Sequence, residues 1–284
     1  MAEGASSPYF FVYRRTSDFE FREVFHSHPE MEFTYVHEGY GTLFVDGQSY
    51  GIEPNSLLVF RPFQLHRVQI DVSPGRPFIR TNLQFDPALL KPYLALFPAL
   101  RTLIHQLMED KKSSIPIYKT ETLHRLTAVA QLFHQASRHV APREAFEEYI
   151  LFLLNFLREF SKIWSRPHAE SRIQSGHHDR AAQIMQWVEA RYREPIRLEL
   201  MAKELHMSHY YLSHLFKETT GTTIMAYIQA TRIRHACMLL MQTSLSIPEI
   251  GARVGLPNPS HFCKVFKASM SVSPHQFRLR ARQE

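Results

Sequence analysis

The chain has 284 residues, room for two domains that each bury a core, and its 44% hydrophobic and 21% charged residues are ordinary for a soluble protein. No apolar run approaches the ~20 residues a membrane span needs, and MAEGASSPYF lacks the basic and apolar regions of a secretory signal. Only Cys237 and Cys263 occur, which excludes a disulfide scaffold and fits a reducing cytoplasm. The net charge of +6 is uneven: from Arg172 onward 15 Lys and Arg oppose 8 Asp and Glu, whereas the residues before it hold 18 against 19. A basic excess confined to one half is what phosphate binding requires, and a merely solubilising surface would not predict it.

Residues 1–8 are small and polar and read as a loose arm. From Tyr9 to Phe85 the pattern is β, in the runs YFFVY, MEFTYVHE, GTLFVDGQSYGI, SLLVFRP, HRVQI and PFIRTNLQF, broken by Gly39-Tyr40-Gly41, Asp46-Gly47 and Glu53-Pro54-Asn55. Short strands at this density predict a small jelly roll or β-barrel. Within them stand His26-Ser27-His28, then Glu32, Gly39 and, beyond Pro62, His66. This resembles the metal-binding pattern of the cupin fold, H-x-H-x3-E-x6-G followed by a distant histidine. The second part, Pro62-Phe63-Gln64-Leu65-His66, departs from it by lacking a glycine and one residue. Alternate strand residues share a face, so His26, His28 and Glu32 can point into one interior. Three imidazoles and a carboxylate suit Zn²⁺, Ni²⁺ or Fe²⁺, and the same residues can instead form the polar wall of an effector pocket. His37 is out of phase with the set and reads as a surface residue. Arg80, Asn82 and Gln84 share one face of their strand, opposite Ile79, Leu83 and Phe85. With Thr81 they are candidate effector contacts, and the alternation leaves open which face is interior.

After Asp86-Pro87 the period becomes helical. Ala88–Phe97 and Ala99–Glu109 are short helices, Lys111–Ile115 is a loop, and Glu121–Val140 and Pro142–Trp164 are long helices. Phe146, Ile150, Leu153, Leu154, Leu157 and Phe160 or Ile163 form an apolar stripe on the last. Residues 165–178, SRPHAESRIQSGHH, are polar and aperiodic and read as an interdomain linker with a solvated His177-His178 pair. Asp179 can cap the helix that opens the carboxy-terminal domain. The expected organisation is therefore α+β with two domains: 1–164, a small β-barrel followed by helices, and 179–284, all helical.

The carboxy-terminal part holds one pattern twice, LELMAKELHMSHYYLSHLFKETTG and IPEIGARVGLPNPSHFCKVFKASMS. Leu212 matches Phe262, Phe216 matches Phe266 and Lys217 matches Lys267 at a spacing of 50. Ser208 and Asn258 stand where an N-cap belongs, so each copy reads as a helix-turn-helix whose second helix fits a DNA major groove. The 18 residues Ile224 to Met241 between them would span roughly 27 Å as a helix. That is close to the ~34 Å between successive major-groove turns, so one chain can place two reading heads.

With Ala202, Ser208, Leu212, Gly221, Arg232, Ile250, Gly255, Phe262, Ser273-Pro274 and Phe277-Arg278 at these offsets, residues 198–278 resemble the DNA-binding domain of the AraC/XylS family of bacterial transcription regulators. Two positions depart from the family: Ser271 replaces a glycine, and Gly251 an alanine. The resemblance implies an effector-responsive regulator, more often an activator, working with RNA polymerase on double-stranded DNA and commonly responding to carbohydrate-related effectors. It implies a homodimer contact on the helices after the barrel. By position Tyr210, Ser213 and His214 match base-contacting sites of the family, with Lys217 placed for a phosphate; in the second unit Ser260, His261, Cys263, Lys264 and Lys267 lie outside the Phe262, Val265 and Phe266 core and with Asn258 form the candidate DNA face, Lys264 for a guanine edge and Lys267 for a phosphate. Arg232 matches a position expected to make a structural ion pair, while Tyr227 and Arg234 remain phosphate candidates. The alternative is a metal-dependent cupin enzyme carrying a DNA-binding appendage.

Overall fold

The computed structural model describes residues 9–21, 23–109, 116–119, 123–141, 143–164, 173 and 176–283. The expected arm, the loop at 111–115 and most of the expected linker lie outside them. Among these residues eight strands form: β1 (Tyr9–Ser17), β2 (Met31–Glu38), β3 (Gly41–Val45), β4 (Gln48–Ile52), β5 (Ser56–Phe60), β6 (His66–Ile70), β7 (Phe78–Phe85) and β8 (Ile117–Lys119). They build two antiparallel sheets, β1-β7-β2-β5-β8 and β4-β3-β6. The sheets lie face to face as in a jelly roll, and no strand pairing among the described residues closes them into one barrel. The β3–β4 hairpin turns on Asp46 (φ 49°) and Gly47 (φ 71°), the paired left-handed conformations that a two-residue hairpin needs.

Alternation along the strands divides the core. Val36, Leu58, Phe60 and Phe78 face the smaller sheet, against its Leu43, Val45, Val68 and Ile70. Met31, Phe33, Tyr35, Leu57, Leu83 and Phe85 point the other way, under a helical layer. That layer consists of a 3₁₀ turn (Pro87–Leu90), α1 (Lys91–Leu94), α2 (Pro98–Glu109), α3 (Leu123–Ala136) and α4 (Ala145–Trp164). The α4 stripe is wider than the predicted one: Tyr149, Phe152 and Phe156 join Ile150, Leu153, Leu157, Phe160 and Ile163 in the core, while Phe146 is exposed. His37, expected at the surface, is half-buried. It bonds Thr81 Oγ1 at 2.8 Å and the Arg14 guanidinium at 3.0 Å, on the helix-facing side of β2 beside Tyr35.

The carboxy-terminal helices are α5 (Gly176–Arg191), α6 (Leu198–Glu204), α7 (His209–Thr220), α8 (Ile224–Gln242), α9 (Ile247–Arg253), α10 (Pro259–Met270) and α11 (Pro274–Gln283). Because α5 starts at Gly176, Asp179 lies within its first turn and does not cap it. His178 is likewise helical, its ring stacked 5.9 Å from Phe44. Each pair α6–α7 and α9–α10 has its own apolar centre, around Leu212, Leu215 and Phe216 in the first and Phe262, Val265 and Phe266 in the second.

The outer face of the smaller sheet is covered around Phe44. Phe44 of β3, with Phe25 and Leu65, completes the core of the first helix-turn-helix against Ala181, Ile184, Met185 and Tyr227. Phe25 meets Phe44 at 6.1 Å and Tyr227 at 4.8 Å, both edge-on. Phe63 packs against the second unit, its ring 6.4 Å from Phe277 of α11.

Candidate functional site

Two groups of residues carry chemistry: the exposed faces of α7 and α10, and a histidine cluster inside the sandwich. Ser208 and Asn258 cap these helices, accepting hydrogen bonds from the backbone N–H groups of Tyr211 and His261. The turns before them are built alike. Met207 N–H donates to Ala202 O and Leu256 N–H to Gly251 O, each at 2.8 Å, closing α6 and α9 around left-handed His206 (φ 55°) and Gly255 (φ 79°). The second turn holds one extra residue, Pro257, so the spacing between copies is 49 before it and 50 after it.

Leu212, Phe216, Phe262 and Phe266 point inward, which leaves Tyr210, His214 and Lys217 on α7, and Ser260, Lys264 and Lys267 on α10, exposed. Ser213 and Cys263 are half-buried on the same faces. Tyr210 stacks on His214 at 5.6 Å, and the His214 ring lies 3.2 Å from the Glu218 carboxylate one turn on. Among the described residues Arg232 has no carboxylate partner of the kind expected: its guanidinium donates to the backbone carbonyls of Tyr192 and Glu194, each at 2.8 Å, and so tethers the end of α5 to α8. Neither remaining phosphate candidate is free. Tyr227 is buried, and Arg234 pairs with Glu189 beside His235. The bridging α8 has 19 residues, a span of about 28 Å.

In the sandwich, Glu32, Asn82 and Gln84 face the interior at one end. His26 and His28 are not on a strand, as the alternation predicts; they lie on the extended stretch before β2, and His26 forms a lone β-bridge with His66. That bridge replaces strand alternation in bringing the rings together. His26, His28 and His66 each offer a ring nitrogen, and the three nitrogens lie within 4.8 Å of one another. The Nδ1–H of His26 donates to Val24 O at 3.0 Å and that of His66 to Gln64 O at 2.8 Å, which turns both Nε2 lone pairs to the cluster. His66 also stacks on Phe60 at 3.9 Å.

Electrostatics separate the three rings. Burial holds His26 and His66 below the ordinary imidazole range, so both are neutral and able to ligate. Burial acts on His28 too, but its bond to Glu32 (2.9 Å) and the charge of that carboxylate outweigh it and raise its pKa. Burial opposes ionisation of Glu32, yet the His28 bond, the neighbouring imidazoles and Thr34 hold its carboxyl well below the usual range. Gln84 donates to Glu32 at 2.6 Å and Asn82 to Thr34 at 2.7 Å, completing the network. Glu23 belongs here as well, although no strand pattern points to it: its carboxylate is 3.4 Å from His26, and burial, reinforced by the Glu32 charge, pushes it up to about 8. Arg80 faces the interior but not the histidines. It lies 4.6 Å from the Phe21 and Phe78 rings and donates to Ser17 Oγ at 3.1 Å.

The donor set fits a first-row divalent ion. A tetrahedral Zn²⁺ with bonds of about 2.0–2.1 Å places its nitrogen ligands about 3.4 Å apart, within short reach of the observed spacing. His28 or its proton must leave Glu32 for the third nitrogen to ligate, and the freed carboxylate is then an available fourth ligand.

Comparison with known proteins finds two family matches. Residues 7–154 match the AraC-like ligand binding domain, and residues 201–280 match a helix-turn-helix domain. Regulatory protein PocR of Salmonella typhimurium is 30% identical over 114 residues, 40% of this chain and 38% of that protein. The HTH-type transcriptional activator RhaS of an Enterobacter species is 24% identical over 89% of this chain and 86% of its own length. The solved C-terminal domain of AraT, a response regulator from Geobacillus stearothermophilus, is 31% identical, with a TM-score of 0.36 over 37% of this chain and 88% of that domain. With the ligand-binding family covering more than half of its residues and the helix-turn-helix family following, the chain belongs to the AraC family of transcriptional regulators.

Proposed function

We propose that the protein is an effector-responsive regulator that binds double-stranded DNA by sequence, placing α7 and α10 in successive major grooves. The observation that carries this reading is the pair of capped helices with buried apolar and exposed polar faces, bridged by the 19 residues of α8. Tyr210, Ser213, His214, Asn258, Ser260, Cys263 and Lys264 are the proposed base-side contacts, and Lys217 and Lys267 the phosphate contacts. Selection of random duplexes by the full chain should enrich one bipartite sequence, with affinity falling steeply as salt rises. Recovery of no sequence above random competitor would overturn the reading.

The effector is proposed to bind inside the sandwich, at His26, His28, Glu32, His66 and Asn82, with Arg80 closing the other end of the same face. Activation, with RNA polymerase as partner, is the proposed sense of regulation; the activator RhaS, related over most of its length, supports it. A homodimer is proposed through the helical layer, where Leu132 of α3 and Phe146 and Leu151 of α4 are exposed.

A further inference from the structure

One segment, Arg61 to His66, touches the histidine cluster and both helix-turn-helix units. Its backbone is bonded to the stretch that bears His26 and His28: Phe63 N–H donates to His28 O at 2.7 Å, and His26 and His66 exchange backbone hydrogen bonds of 3.1 and 3.0 Å. Two of its side chains, Phe63 and Leu65, point outward to the helices. Leu65 is part of the core shared with α5 and α8, and Phe63 packs on Phe277 of α11. Phe63 sits at φ 58°, a left-handed conformation that a bulky residue adopts only where its surroundings impose it. Those surroundings are the His28 carbonyl on one side and the second unit on the other.

Resting on the regulator reading above, we propose that the cluster's effector is a first-row divalent metal ion, held by His26, His28 and His66, and that the Arg61–His66 segment carries its occupancy to both reading heads. Ligation must set the three ring nitrogens, which now lie within 4.8 Å of one another, at about 3.4 Å and detach His28 from Glu32. The backbones of these residues are bonded to the segment, so that contraction displaces Phe63 and Leu65 together. Since Leu65 packs on the first unit and Phe63 on the second, their displacement changes how the two heads are set relative to each other. Coupling of this kind between sites is typically 5- to 150-fold in affinity.

The test uses the full chain, stripped with chelator and titrated with Zn²⁺ and separately with Ni²⁺, and an operator from the selection described above. The expected result is one tight site per chain, lost in His66→Ala and in His26→Ala, and a change of at least about fivefold in operator affinity when it fills. His26 is only partly buried, so His26→Ala serves where His66→Ala fails to fold. Phe63→Ala should still bind one ion but lose the metal-dependent change in operator affinity. Sites that survive both histidine substitutions, or no tight site, overturn the metal assignment while selective DNA binding persists. An equal metal effect in Phe63→Ala and the unaltered chain overturns the relay. Loss of selective DNA binding with and without metal would instead sink the regulator reading itself.

Discussion

The two helix-turn-helix units keep their glycines in opposite places. In the first, the tight turn is held by His206 and the end of the recognition helix by Gly221 (φ 65°); in the second, the turn is held by Gly255 and the helix end by Ser271 (φ 60°). Two left-handed residues are thus required per unit, and each unit meets one requirement cheaply and the other with a side chain that resists it. The reason differs by position. A Cβ on Gly255 would stand 2.8 Å from Tyr192 O and 2.9 Å from Arg193 O, both backbone atoms, so glycine is obligatory there. The atoms nearest a Cβ on Gly221 would be those of the Arg67 guanidinium, a side-chain end rather than backbone. Gly251, opposite Ala202 of the first unit, is likewise close-packed: its Cβ would stand 2.8 Å from Leu256 O and 3.2 Å from the Phe262 ring. The glycines of the second unit are thus the more closely packed, while both units meet the sandwich, the first through Phe25, Phe44 and Leu65 and the second through Phe63.

The largest effect that can break this comparison is loss of a core ring. Phe262→Ala should destabilise the second unit by about 3–5 kcal/mol. Hydrogen exchange should then rise across α9 to α11 while α6 and α7 keep their protection; equal loss in both would mean that the units share one cooperative core. Gly255→Ala should cost about 1–3 kcal/mol through the imposed conformation alone. A thermal midpoint unchanged by that substitution would refute the close approach to Tyr192. On DNA, Lys264→Ala should relax preference at one base pair and cost about 1–3 kcal/mol, whereas uniform weakening on all sequences would make Lys264 a phosphate contact. The smallest effect is the most pointed: His206→Gly and Ser271→Gly should each stabilise by about 1 kcal/mol, read from denaturant midpoints, because glycine removes the left-handed penalty. Destabilisation by either would mean that the side chain makes a compensating contact.

How much of this was legible in the sequence follows from the range of the interactions concerned. Caps and repeat spacing are local, so Ser208, Asn258 and the strained Ser271 could be read directly. The histidine cluster was legible as a set but not as geometry, because a single β-bridge between His26 and His66 assembles it where strand alternation was expected. Strand β8 was missed: three residues at a sheet edge carry too little periodicity. Contacts between the sandwich and the helices were invisible for another reason. Phe25, Phe63 and Leu65 lie off the regular strands, and only Leu43-Phe44-Val45, apolar on both faces of β3, hinted that this sheet is covered on its outer side. Arg232 was misassigned because carbonyl groups at a helix end, unlike carboxylates, leave no mark in the sequence.

The extra Pro257 makes the two heads unequal, and α8 fixes their sequence along the chain. A protein whose left and right hands differ in this way has no internal dyad to match a palindrome. Turned end for end on the same duplex, it would present α10 where α7 had been and meet the wrong bases. On the proposed docking, one copy would therefore read which way a promoter points as well as what it spells.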